Sequence, residues 1–267
     1  MAVFLMYNMG CSGGSWFEKI CNTHPEVRAW EEVARTLGFF GANMLGRIQA
    51  TSIDRAQATA MYDVVLWFLA NQARRHRSVG LIKTFDLAIV DYCLSQGGTV
   101  VQMVRNPIKV IGFKYPRAVW TANRNGERQS EIEVFENHVR RYANRYRLYM
   151  DRDYQLIRVE DLSASLAATP AAPHFCRTME YITQVEWNEE AVGRVRREAH
   201  PRGREDIPDP DCWKSDPFIE AHYGARGVLE SRSRGAHSWE IWDADRRKIF
   251  LKYFEPIMAA LGYNYGD

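Results

Sequence analysis

The chain has 267 residues, 46% of them hydrophobic and 12% aromatic, and its formal net charge is +2 at pH 7. This length and composition are typical of one large α/β domain with a substantial core, so we predict a single domain over residues 1–267. The near-neutral charge argues against a general nucleic-acid-binding protein, which normally has a stronger basic excess. No apolar run approaches the roughly 18–20 residues that span a bilayer, and we therefore expect a cytoplasmic protein without a membrane partner.

The cysteines and histidines do not form the patterns of a disulfide framework or a metal site. The cysteines are odd in number, lack CxxC spacing, and are Cys11, Cys21, Cys93, Cys176 and Cys212. This pattern predicts reduced thiols. The histidines at positions 138 and 174 have no partners at metal-ligand spacing, so we predict no bound metal.

Short apolar runs of strand length alternate with stretches of helical spacing along the chain. We predict strands over residues 3–7, 79–84, 99–104 and 155–159. Helices are predicted over residues 16–22, 54–74, 87–94, 132–150 and 243–261, the last of them closed by Gly262 as C-cap. The alternation indicates an α/β fold with a central, mostly parallel sheet flanked by helices. In such sheets ligands bind at the carboxyl ends of the strands.

Two segments lack this periodicity. Residues 164–173 are predicted to form a loop, because Ala, Ser, Thr and Pro dominate them. Residues 200–238, rich in Pro, Gly, Arg and Asp, are predicted to be a lid or binding segment, or else disordered. Within the helix predicted over 132–150, Tyr142, Tyr146 and Tyr149 recur at helical spacing, which is typical of a core stripe.

A glycine-rich loop between the first strand and the first helix is the sharpest local feature. Its residues are Cys11, Ser12, Gly13, Gly14, Ser15 and Trp16. Glycines allow a tight turn, so that backbone N–H groups and a helix N-terminus converge on a phosphate, while the two serines add hydroxyl donors. The alternative is an ordinary turn between a strand and a helix. A Walker A motif is excluded, because no lysine precedes the last hydroxyl residue.

This loop resembles the phosphosulfate-binding loop of sulfotransferases, often written KSGTTW, and four more segments resemble that family in the same order. His24-Pro-Glu-Val resembles the HP(D/E)V that closes the first helix in bacterial and carbohydrate sulfotransferases. Arg105-Asn-Pro resembles the strand-ending RNP, and Arg158-Val-Glu-Asp-Leu resembles RYEDL. Trp239 and the final Leu-Gly-Tyr263 resemble the W…LGY ending. The resemblance implies a P-loop-like sulfotransferase fold that uses the sulfate donor PAPS and releases PAP.

The resemblance also implies roles for basic residues. Arg105 would hold the 3′-phosphate of the donor as a bidentate partner, and Lys83 would approach the transferred sulfate as the lysine of the KTH strand end. Arg232 and Arg234 resemble, loosely, the basic segment that folds over the nucleotide. The alternatives are a surface salt bridge for Arg105 and a solvated strand-end lysine for Lys83.

Three positions depart from the family pattern. Cys11 replaces the lysine or arginine of the phosphate loop, Phe113 replaces a serine of the 3′-phosphate site, and Phe85 replaces the histidine base. In carbohydrate and many bacterial members a glutamate after the HP segment takes the acceptor proton. Glu32 lies seven residues after Pro25, where such a glutamate falls, so it is our candidate base. The neighbouring Glu31 and Asp86 are weaker candidates, and a surface position for both glutamates is the alternative.

The sequence therefore favours a sulfotransferase that moves a sulfuryl group from PAPS to a hydroxyl of a small-molecule or carbohydrate acceptor. Protein positioning and charge neutralisation are the main needs of that chemistry. The losses of the usual lysine, serine and histidine keep a second interpretation open, a catalytically inactive PAP- or PAPS-binding relative. A third is another P-loop transferase such as a small-molecule kinase, although the Walker lysine and an evident magnesium-holding aspartate are missing.

Overall fold

The computed structural model describes residues 2–8, 13–31, 71, 74–82, 93–112, 115, 130–152, 154–168, 173–199 and 238–265. They fall into two compact units. The first comprises Met1–Val104 and Tyr154–Pro201, and the second comprises Arg105–Asp153 and Arg202–Asp267. The single domain stays a prediction. Among the described residues, none of the helices has the length and apolar character that crossing a membrane requires.

The first unit is built on a five-stranded sheet, as far as the chain is described. Its strands are β1 (Ala2–Asn8), β2 (Val27–Glu31), β3 (Ser78–Ile82), β4 (Thr99–Val104) and β5 (Gln155–Arg158). All four pairings are parallel, and the strand order is β2-β3-β1-β4-β5. The prediction of an α/β fold with a mostly parallel central sheet is therefore confirmed.

The connections that leave the neighbouring strands β1 and β4 run to opposite sides of the sheet, so the strand order reverses between these two strands. From β1 the chain continues to β2, on the side of the sheet where β3 lies, whereas β4 is followed by β5 on the opposite side. Connections that leave neighbouring strands in opposite directions open a crevice at the carboxyl ends of those strands. The end of β1 and the end of β4 therefore border the place where a ligand site is expected in this sheet.

Besides helical positions at 71 and 93–95, the described part of the first unit contains four helices of nine to eleven residues. They are α1 (Gly14–Thr23), α3 (Val159–Ala167), α4 (Pro173–Thr183) and α5 (Glu189–Glu198). Their apolar faces join the strands in one core, to which Phe17, Phe175 and Trp187 contribute large buried side chains. Helix α3 continues to Ala167, so the loop predicted from residue 164 begins too early.

Strand β2 was not predicted from the sequence, and its neighbours explain how it forms. It lies at the edge of the sheet and pairs only with β3 among the described strands. The side-chain amide of Asn22 donates to the Ala29 carbonyl (3.0 Å) and accepts from the Ala29 N–H (2.8 Å). Asn22 thus takes the place of a neighbouring strand along this edge, which otherwise offers unpaired backbone groups.

The close approach of β1 to β3 requires a glycine at position 80. Gly80 is opposite Phe4 in the register, and a Cβ atom there would lie 2.1 Å from two carbons of the Phe4 ring. The Phe4 side chain is completely buried, so the ring has no room to move outward.

We expect Gly80→Ala to lower the free energy of unfolding by about 1–3 kcal/mol, the usual cost of overpacking a core. Urea denaturation measures this loss. Gly193→Ala in α5 is the control, because Gly193 does not have a left-handed φ and a Cβ there meets only Arg197 Nη1, at 3.4 Å. Adding Phe4→Leu should restore part of the stability that Gly80→Ala removes. A Gly80→Ala protein as stable as wild type would contradict this placement of the Phe4 ring.

The second unit contains the longest described helices. They are α2 (Glu131–Met150) and α7 (Ala244–Leu261), and the short α6 (Ser238–Ile241) precedes α7. Helix α2 packs on α7, and Tyr142 and Tyr146 are buried, as the predicted core stripe requires. The side chain of Tyr149, the third tyrosine of that stripe, is outside the description. Gly262 ends α7 with a left-handed φ of 68°, which confirms the predicted C-cap.

Candidate functional site

The first turn of α1 has the properties of an anion-binding helix end. Gly13 is its N-cap residue, with φ 79° and ψ 15°, and it supplies no side chain to cap the N–H groups of the turn. The first turn of α1 contains no acidic residue. Because the N-terminus of a helix carries a partial positive charge, this turn can accept a negative group without a competing carboxylate of its own.

Two other elements of the same unit pack against Gly13. A Cβ atom at Gly13 would lie 3.4 Å from Val159 Cγ1 and 3.8 Å from Met103 Sδ. Met103 is in β4, next to its carboxyl end, and Val159 begins α3 directly after β5. The structure thus brings the glycine-rich segment next to the Arg158–Leu162 segment, although more than 140 residues separate them in the chain.

The other predicted loop residues are partly described. Gly14 is buried, Ser15 is exposed, and the Trp16 side chain is partly buried against the core cluster. The Trp16 indole N–H donates to the Ala199 carbonyl at 3.0 Å. Cys11 and Ser12 lie outside the described residues.

Glu32 and Lys83 follow the ends of two paired strands. Glu31 is the last residue of β2, Ile82 is the last residue of β3, and these two residues are register partners. Glu32 and Lys83 are the residues that follow these two partners in the chain. Both residues lie outside the described part, as do Phe85, Asp86, Phe113, Arg232 and Arg234, and most of the predicted lid segment 200–238.

Arg105 follows β4 in the chain and belongs to the second unit. Its carbonyl accepts a hydrogen bond from the Tyr146 hydroxyl (2.9 Å), and its side chain is half-buried. The next residue, Asn106, is completely buried, and its Oδ1 accepts from the Ile108 N–H at 2.9 Å. Asn106 is thus the N-cap of the helical residues 107–112, which start with Pro107. These hydrogen bonds fix the backbone at the Arg105 carbonyl and in the helical turn that follows it.

His24 connects the end of α1 to the chain that precedes α5. Its Nδ1 accepts the Glu26 N–H (3.3 Å), and its Nε2 contacts the Glu186 carbonyl (3.1 Å), so the ring is neutral with the proton on Nε2. The ring also packs on Trp187, with centroids 4.8 Å apart. The histidine of the HPEV segment therefore has a structural role that sequence reasoning did not assign.

Burial lowers the pKa of His24 below its ordinary value of 6.5. The Glu186 carbonyl and the Glu26 charge act in the opposite direction, and Arg194 adds to the lowering. The unfolded chain therefore takes up this proton more readily than the folded protein. The stability linked to His24 is fully present above pH 6.5 and is lost as the pH falls below it.

We expect the unfolding free energy of wild type to decrease more steeply between pH 7 and pH 5 than that of His24→Gln. The variant loses about 1–3 kcal/mol at neutral pH through unsatisfied groups, but it lacks the protonation of His24. Urea denaturation at several pH values measures both slopes. Equal slopes would show that His24 does not titrate as its burial requires.

The described chain offers little other chemistry. Burial raises the pKa of the Cys21 thiol well above its ordinary value, with a further contribution from Glu18, so this thiol is a poor nucleophile. No group of three His, Cys, Asp or Glu side chains suited to a metal occurs among the residues that are described. A shallow depression of about 720 Å³, lined by His76, Arg77 and Gln184 among others, lies at the amino ends of the strands and contains none of the predicted site residues.

Sequence reasoning missed two residues that contact the glycine-rich segment, namely Val159, which lies next to Gly13, and Ala199, which accepts the Trp16 hydrogen bond. Ala199 carries no chemical signal in the sequence. Val159 stands inside the segment that resembles RYEDL, and that resemblance was a signal that the segment lies near the phosphate loop. Comparison with known proteins adds no assignment, because no protein-family model and no curated protein matches this chain.

Proposed function

We propose that the protein is a sulfotransferase that binds PAPS and transfers its sulfuryl group to a hydroxyl of a small-molecule or carbohydrate acceptor. The observation that carries the proposal is the glycine-capped first turn of α1, which follows the carboxyl end of β1. It lies beside the point between β1 and β4 where the strand order reverses. A helix end without its own carboxylate, at that edge of a parallel sheet, is suited to a nucleotide phosphate.

The donor would be held mainly through its phosphates. The backbone N–H groups at Gly13, Gly14 and Ser15 would face the phosphosulfate, with hydroxyl groups of Ser12 and Ser15 as further donors. Arg105 would bind the 3′-phosphate, and Arg232 and Arg234 would cover the nucleotide. These roles come from the resemblance, and the fixed backbone around Arg105 supports the first of them.

In the transfer step, the acceptor oxygen attacks the sulfur while the bond between sulfur and the phosphate oxygen of PAPS breaks. The acceptor proton passes to Glu32, and the electron pair of the broken bond leaves on PAP. Lys83 would neutralise the charge on the moving sulfuryl group. The proposal gains support from the register of β2 and β3, since Glu32 and Lys83 follow the partners Glu31 and Ile82.

Two other functions use the same helix end. Cys11, Phe85 and Phe113, which replace family residues, favour an inactive relative that binds PAP or PAPS without turnover. A small-molecule kinase would also place phosphates at α1, but it needs a magnesium-holding carboxylate that is not evident in the sequence. We also propose that this protein acts in the cytoplasm and that its reaction uses no metal.

Transfer from radiolabelled PAPS to a panel of phenols, alcohols and sugars tests the proposal. We expect a labelled product with at least one acceptor class and none when ATP labelled at its terminal phosphate replaces PAPS. PAP binding with no labelled product across the whole panel would favour the inactive relative. Transfer from ATP alone would favour the kinase.

A further inference from the structure

Helices α1 and α5 are joined at both ends by hydrogen bonds. At the start of α1, the Trp16 indole donates to the carbonyl of Ala199, the C-cap residue of α5. At the end of α1, its C-cap residue His24 contacts the Glu186 carbonyl, two residues before the N-cap of α5. Each helix has 10 residues, so the two lie antiparallel with matched ends.

The two hydrogen bonds differ in their distance from the anion-binding turn. Trp16 lies within the first turn of α1, three residues after Gly13, whereas His24 is about 12 Å farther along the helix. The Trp16 indole N–H is already bonded to protein, and its ring packs on the buried core. Its position suits a residue that orients the turn rather than one that binds the nucleotide through its N–H.

The acceptor of the Trp16 hydrogen bond, Ala199, is also held in place. Ala199 is completely buried, and its own N–H donates to the Val195 carbonyl at 2.8 Å. The opposite end of α5 is held by Asn188, whose side chain accepts from the Ala191 N–H at 3.1 Å. A movement of the first turn of α1 would therefore be transmitted to the last turn of α5.

We infer that Trp16 is a positioning residue, which holds the first turn of α1 in its anion-binding geometry and couples ligand binding there to the C-terminal end of α5. The inference rests on the proposed function, because it takes PAP as the ligand of that turn. Coupling of this kind is reciprocal. A ligand bound at the turn restricts opening of the C-terminal end of α5, and loosening of that end lowers the affinity for the ligand.

The experiment compares variants that each remove one of the two bonds. Replacing Trp16 with benzothienylalanine retains the double ring but removes the N–H, and Trp16→Phe is the encoded counterpart. His24→Gln is the matched control, because it disturbs the other end of the same helix pair. We expect calorimetry to show PAP binding that is roughly threefold to tenfold weaker in both Trp16 variants, the worth of one neutral hydrogen bond, and within twofold of wild type in His24→Gln.

Hydrogen exchange gives a second measurement that needs no variant. PAP should slow exchange of the amides of Val195–Ala199 in wild type, and this protection should be reduced with benzothienylalanine at position 16. Unchanged PAP affinity in both Trp16 variants, or an equal loss in His24→Gln, would overturn the positioning role. Absence of protection at the end of α5 would overturn the coupling. If wild type binds no PAP, the proposed function fails and this inference fails with it. If wild type binds PAP and the Trp16 variants bind it equally, the inference alone fails.

Discussion

Replacing Glu32 with glutamine should lower the turnover of sulfuryl transfer by about 10²–10⁴-fold, the usual contribution of a general base. The acceptor hydroxyl must lose its proton as the bond to sulfur forms, and Phe85 stands where the family has its histidine. Glu32 directly follows Glu31 at the carboxyl end of β2, and the register partner of Glu31 is Ile82, which precedes Lys83, the residue proposed to contact the sulfate. Steady-state kinetics with an identified acceptor measures the effect.

The affinity for PAP in Glu32→Gln should stay within a few-fold of the wild-type affinity, because the base contacts the acceptor and not the nucleotide. Glu31→Gln and Asp86→Asn are the matched controls, each removing one nearby carboxylate charge. If Glu32→Gln turns over normally and one of these two variants is inactive, the base has been assigned to the wrong residue. If all three are active, no carboxylate in this region accepts the proton.

Arg105→Ala should weaken PAP binding by about 2–4 kcal/mol, a change of roughly 30- to 900-fold, because a phosphate loses a charge-assisted bidentate partner. The Tyr146 hydroxyl and the Asn106 cap hold the backbone at this position, so the substitution should remove the guanidinium without moving the chain. Calorimetry gives the affinity directly.

Arg140→Ala is the control for net charge, since Arg140 is exposed on α2 and donates a hydrogen bond to Asn137 Oδ1 (2.8 Å) of the same helix. We expect its PAP affinity to stay within twofold of wild type. An Arg105→Ala protein with wild-type affinity would remove Arg105 from the nucleotide site. Equal losses in both variants would instead indicate a general electrostatic attraction of the anion.

The sequence predicted the three interior strands and the edge strand β5, and it missed only the edge strand β2 among the described strands. The strands β1, β3 and β4 are buried apolar runs, the pattern expected for parallel strands covered on both faces. The edge strand β2 is only five residues long and contains Arg28 and Glu31, so no apolar alternation marks it. It is completed by a side chain from another element, Asn22, and a tertiary interaction of this kind leaves no local pattern in the sequence.

Helix α5 is a different case, because its sequence does carry end signals. Asn188 caps it, Glu189 and Glu190 stand in its first turn, and Arg196 and Arg197 stand in its last turn. These are the charges that a helix dipole favours at each end, and they could have predicted this helix. The contact of Val159 with Gly13 could not have been predicted from local pattern, since it depends on how β4 and β5 bring distant segments together.

Several segments that resemble sulfotransferase motifs have structural roles. His24 links two segments of the first unit, and Asn106 caps a helix. Gly262 ends α7, while Trp239 stacks on Tyr265 with ring centroids 4.9 Å apart. In these segments the residues that resemble the motifs stabilise the local structure of the chain. The departures at Cys11, Phe85 and Phe113 fall at positions to which the resemblance assigns chemistry, and they are the reason that binding and turnover need separate tests.

The central claim is that the first turn of α1 belongs to a site for the phosphates of PAP. Calorimetric titration of the full chain with PAP, and separately with ATP and magnesium, tests it most directly. The proposed site predicts saturable binding of PAP at one equivalent, in the micromolar range, and at least tenfold weaker binding of ATP. Absence of PAP binding, or a preference for ATP with magnesium, would contradict it.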